Sequence, residues 1–145
     1  MGYRKNIFRS GLTGIVLWIS AHTASAQMVV IMSAKSPTTA LTENEVADIY
    51  LGHTSELPNG EPAVPIDLAD DSAARAEFYK VIADKSPAQL RAYWSKLVFT
   101  GRGQPPRAVA DALAVRKLVA ANGNVIGYIN KSELDSTVKV VLALH

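Results

Sequence analysis

The sequence predicts one α/β layered domain, a small mixed or parallel sheet of about four to five strands flanked by helices. Three observations lead there. Short apolar runs of strand length alternate with helical patterns that carry their own capping signals. The segments follow the order strand, helix, strand, three helices, two strands, the pattern of a layered α/β domain. No linker or low-complexity tract is long enough to divide the chain into two domains. Helical crossovers make parallel pairing the default expectation for such spacing.

The first residues read as a leader. Arg4, Lys5 and Arg9 stand without an acid, Gly11 to Ala21 is uncharged and apolar, and Ala24 and Ala26 form a small-x-small pattern. This is the layout of a cleavable secretory signal peptide cut after Ala26. Its apolar core is about half the ~20 residues that a spanning helix needs, so no stable membrane insertion is expected after cleavage. The domain is then residues 27–145, placed in a bacterial periplasm. Of 15 basic and 13 acidic residues, three basic ones lie in the leader, so residues 27–145 carry 12 against 13 and a formal charge near −1. That balance offers no footprint for nucleic acid. With no cysteine, and only His53 and His145 beyond the leader, disulfides and cysteine- or histidine-built metal sites are excluded. No cofactor is expected.

Met28 to Met32 (MVVIM) predicts a buried strand. Thr42-Glu43-Asn44-Glu45 is a capping box opening a helix, with Leu41 and Val46 placed for a hydrophobic staple. Val46, Ile49 and Tyr50 form its inward stripe, and Gly52 suits the left-handed stop. Pro58-Asn59-Gly60 marks a turn. Ala63 to Leu68 (AVPIDL) predicts a strand whose Pro65 suits an edge or a bulge. Asp71 or Ser72 can cap the next helix, which sets Ala74, Phe78, Val81 and Ile82 on one face. Ser86-Pro87-Ala88-Gln89 is a second capping box with proline at the first helical position, and Leu90, Tyr93, Trp94 and Leu97 follow at helical spacing, with Trp94 expected in the core. Thr100 to Pro106 is a glycine- and proline-rich loop. A further helix is expected from about Ala108 to Ala121, then strands over Val125 to Ile129 and Val138 to Leu144.

Nothing in this order assembles a catalytic site. There is no G-x-S-x-G elbow, and Gly101-Arg102-Gly103 lacks the lysine and hydroxyl of a phosphate loop. The domain is expected not to be an enzyme. The stretch Asp70-Asp71-Ser72-Ala73-Ala74-Arg75 holds more interest. A strand running into a helix start presents free backbone N–H groups at the positive end of a dipole. Ser72 adds a hydroxyl and Arg75 a guanidinium. Against an anion there, Asp70 and Asp71 can satisfy the helix start themselves. The sequence leaves both readings open.

Taken together, Leu41-Thr42 through Ile49-Tyr50-Leu51-Gly52, Asp70 to Phe78, and Ile126-Gly127-Tyr128-Ile129 resemble the phosphate ABC transporter substrate-binding family of the periplasmic binding protein type 2 superfamily. Tyr93 to Gly101 resembles a signature of short secreted homologues. The resemblance implies one lobe of that two-lobed fold, with ligand-binding residues Asp70, Ser72, Ala73 and Arg75 and phosphate or a related oxyanion as ligand. Residues 27–145 are too few for both lobes, so a second chain, a homodimer included, would have to supply the other. An ABC transporter or another envelope protein is the implied partner. An accessory protein that kept the fold without the ligand is the alternative. Two departures from the family pattern matter. Its glycine and threonine after the serine are Ala73 and Ala74 here, and its arginine is Leu68. One charge-assisted hydrogen bond contributes about 1.5–3 kcal/mol, so the arginine's loss alone weakens phosphate about ten- to a hundredfold.

Overall fold

The computed structural model describes residues 27–145, so the predicted signal peptide and its cleavage site lie outside the described residues. Within them the elements are β1 (Met28–Ser33), α1 (Glu43–Tyr50), β2 (Val64–Leu68), α2 (Ala73–Ala83), α3 (Pro87–Phe99), β3 (Arg107–Val109), α4 (Ala112–Ala121), β4 (Val125–Asn130), a 3-10 turn (Lys131–Glu133) and β5 (Val138–Ala143). The helix starts follow their local chemistry. Thr42 and Glu45 close the first capping box, Ser86 and Gln89 the second with Pro87 at the first turn, and Ser72 rather than Asp71 caps α2. α1 stops in a Schellman arrangement: His53 N–H donates to Asp48 at 2.8 Å and Gly52 N–H to Ile49 at 3.3 Å, with Gly52 at φ +73°. A side chain at Gly52 would meet that left-handed backbone and the Trp94 ring 3.3 Å away.

The strands form one sheet in the order β3-β2-β4-β1-β5. β2 runs parallel to β3 and β4, as the crossover helices require, but β1 is antiparallel to both its neighbours. The default of parallel pairing is therefore corrected to a mixed sheet. The crossover rule governs strands joined through a helix, and β1 instead pairs with the last two strands of the chain. The expected helix from Ala108 is also corrected. Residues 107–109 form β3 on β2, and α4 begins only after Asp111, whose carboxylate caps it. Pro65 sits before the stretch of β2 that pairs with β3, where β2 has a neighbour on one side only. A missing N–H is tolerated there.

All six residues of β1 are buried, which explains its unbroken apolar run: a strand covered on both faces has no alternation to show. α4 lies close on β4 because Gly127 has no side chain. A Cβ there would fall 2.5 Å from Val115 and 3.0 Å from Val119. On the other side, Val46, Ile49, Tyr50, Phe78, Tyr79 and Leu90 bring α1, α2 and α3 into the same core. Among the described residues, no helix is long and apolar enough to cross a membrane.

Candidate functional site

The ladder between β2 and β4 holds at Val64↔Val125 and Pro65↔Ile126 and goes no further. Beyond it, side-chain hydroxyls take over. Tyr50 places its hydroxyl 2.9 Å from the Ile66 carbonyl and 3.2 Å from that of Ile126, tying the two strands where their backbones no longer pair. One residue on, Asp67 is 2% exposed. Its carboxylate accepts from the Tyr79 hydroxyl at 2.7 Å, the Tyr128 hydroxyl at 2.5 Å, Arg75 Nε at 3.2 Å and the Leu68 amide at 2.8 Å. Phe78 stacks on Tyr128 at 3.8 Å between centroids, nearly parallel, and sets these rings edge to face with Tyr50. Burial, then the Asp67 charge, pushes the Tyr79 and Tyr128 hydroxyls well above the ordinary tyrosine range. Burial, then Tyr128 and Asp67, does the same to Tyr50. All three remain neutral donors around neutral pH.

This cluster lies beneath the candidate turn and decides what that turn offers. Arg75 folds back under the start of α2, its guanidinium buried against Asp67 and 3.0 Å from an Asp70 oxygen. The Ser72 hydroxyl accepts from the Arg75 amide at 3.2 Å and keeps its own proton to donate. Ala73 and Ala74 stand in the first turn, and their amides come too early in the helix for intrahelical acceptors. Asp70 and Asp71 are exposed; neither caps the helix. Leu68 is buried as the last residue of β2.

The structure thus brings Asp70, Ser72, Ala73 and Arg75 together in one turn. It divides them by role. Ala73 and Ser72 face outward with donors to spare, while Arg75 is held by two carboxylates. With Asp67 and Asp70 against one guanidinium, the turn is negative before any ligand arrives. Among the described residues, no group of three or more histidine, cysteine or acidic side chains could hold a metal. His53 is exposed beside Asp48.

Asp67 is the residue that sequence reasoning passed over. The signal was an acid between Ile66 and Leu68, near the end of an otherwise apolar strand.

Beside the turn, a cleft of about 600 Å³ runs between Asp70 and Arg75 on one side and Arg91, Trp94, Val98 and Phe99 of α3 on the other. Trp94 is buried, as expected, but its indole N–H has no hydrogen-bond partner. Phe99 at the cleft's edge is 92% exposed.

No family model and no curated protein matches the chain. Solved structures do match its fold. One is a protein of Clostridium perfringens assigned to the phosphate ABC transporter substrate-binding proteins and solved with bound phosphate. It aligns at TM-score 0.64 and 23% identity over 79% of this chain and 44% of its own. An ABC-type phosphate transport receptor from Vibrio cholerae aligns at 0.63 and 17% over 79% and 45%. PstS from Borrelia burgdorferi aligns at 0.57 and 15% over 79% and 46%. The chain spans less than half the length of these proteins, and its fold is that of one lobe of theirs.

Proposed function

We propose that this domain works outside the cytoplasm, after loss of its leader, as a one-lobed binding module. It takes phosphate or a related small oxyanion at the α2 turn, in connection with phosphate uptake. The observation that supports this most is the pair of unclaimed amides at Ala73 and Ala74, set with the Ser72 hydroxyl at the carboxyl end of a parallel strand. Such ends are where open α/β sheets take their ligands, and a helix start carries the dipole that anions favour. The likeness in fold to a phosphate-bound protein adds to it. Binding is weak, in the millimolar range, because Arg75 is shared with Asp67 and Asp70 and no guanidinium stands at Leu68. The carboxylates favour the more protonated form of phosphate, so affinity rises as pH falls through phosphate's second dissociation.

Ala73→Pro is the clean test. Proline suits the first helical position, and Ser72 already has the extended backbone (φ −69°, ψ 124°) that a following proline demands. The variant deletes one donor and leaves the fold alone. Calorimetry should show its phosphate affinity reduced about threefold or more, a hydrogen bond's usual net contribution, at unchanged melting temperature. Equal heats for both proteins would refute the site.

A second reading, an accessory protein that recognises another envelope protein and no ligand, draws on the exposed apolar end of α3. Recovery of a specific partner with no effect of phosphate, by wild type and Ala73→Pro alike, would favour it.

A further inference from the structure

The face that carries the α2 turn also carries a hollow and a knob. The hollow is the cleft between α2 and α3, walled by Trp94, Val98 and Pro105 with Arg91 and Asp70 at its margins. The knob is Phe99, the last residue of α3, 92% exposed beside Val98 at 44%. A phenylalanine turned so fully into water, next to an apolar hollow, is a contact surface awaiting its counterpart. The orphaned indole N–H of Trp94 marks the same wall, since a buried donor ordinarily has an acceptor.

We propose that this face joins two copies of the chain about a two-fold axis, Phe99 of each entering the cleft of the other. What singles out a second copy is self-complementarity. Knob and hollow occur on one surface, as an isologous contact requires. So do charges of both signs: Arg91 is exposed and makes no ion pair among the described residues, while Asp70 and Asp71 form an exposed acidic turn across the cleft. A two-fold arrangement sets each Arg91 toward the other copy's acids. A partner of another kind would need to match knob, hollow and both signs at once, and a small ligand in the cleft would leave Phe99 in water. The matched solved structures carry somewhat more than as much chain again beyond the shared lobe, room that a second copy would fill here. The pairing stands without anion binding. Its consequence for the α2 turn is a cover over Ser72 and Ala73 supplied by the other copy.

Sedimentation velocity on residues 27–145, which hold the whole described core, tests this directly. The protein should dimerise with a Kd of roughly 10 µM, and Phe99→Asp should weaken the dimer at least about tenfold, as loss of a central aromatic anchor does. Arg91→Glu should weaken it as well. Leu113→Asp, an equally polar change at an exposed site on α4, should leave it unchanged. Neither Phe99 nor Leu113 is buried, so both variants keep the fold. Trp94 is the one tryptophan after residue 26. Its emission should shift to the blue as wild type is concentrated, and not in Phe99→Asp. A monomer at about millimolar concentration, or a Phe99→Asp protein that pairs like wild type, overturns the proposal. Phosphate-induced heats in the Phe99→Asp monomer report on the α2 turn separately.

Discussion

The two walls of the α2–α3 cleft are built on opposite principles. Under α2, the buried polar side chains are paired: the Asp67 carboxylate takes four donors, Arg75 lies between two acids, and Tyr50 bridges the strands where their ladder ends. Along α3, the indole N–H of Trp94 has no acceptor and Phe99 stands in water. A satisfied buried network rigidifies what rests on it. An exposed aromatic ring is inexpensive to change and free to recognise something. One wall holds the α2 turn in place; the other leaves an aromatic ring in solvent.

Substitutions beneath α2 should therefore act on stability and those at the end of α3 on association. Asp67→Ala should have the largest effect, about 3–5 kcal/mol by denaturant unfolding, because it strands a buried guanidinium and two hydroxyls. A loss under about 1 kcal/mol would show that the network is incidental. Alkali probes the same wall. The folded tyrosines titrate well above their unfolded value of about 10, so their contribution is complete below that pH and is lost as pH rises beyond it. Each of the three takes away about 1.4 kcal/mol per pH unit there. Unfolding monitored by phenolate absorbance should coincide with loss of helix signal, and Tyr79→Phe should make the decline shallower. Phenolate beyond that of Tyr93, which lies outside this cluster and is partly exposed, appearing ahead of unfolding would mean the hydroxyls are open to solvent.

Gly52→Ala tests the junction of the walls, where α1 stops against the Trp94 ring. Its strain should cost about 1–3 kcal/mol in thermal unfolding. The smallest effect should be Phe99→Asp, within about 0.5 kcal/mol of wild type. A large loss of monomer stability would place Phe99 in the core and erase the distinction.

What could be read in the sequence was what short spacing controls. Both capping boxes, the stop at Gly52 and the proline opening α3 depend on residues within one turn of each other, and they occur as read. The strand at residues 107–109 was hidden because three residues after two prolines show no period, and β2 must already exist to pair them. The direction of β1 was hidden for a like reason, since its partners are the last strands of the chain. The Asp67 cluster joins residues 8, 12 and 61 positions apart. In VPIDL its acid resembles ordinary alternation with solvent. The turn from Asp70 to Arg75 was recognised as a unit, but the fate of Arg75 was not legible. Its guanidinium went to Asp67, which lies outside the motif. Phe99 extends the run Leu97-Val98-Phe99, in which only Leu97 turns inward.

The direct test of the anion reading is an amide-resolved NMR titration of residues 27–145 with sodium phosphate, against sodium chloride at equal ionic strength. Saturable shifts confined to Ser72, Ala73, Ala74 and their neighbours, at millimolar phosphate and stronger at lower pH, are the predicted result. Spectra that move no more with phosphate than with chloride at those three amides would contradict the account.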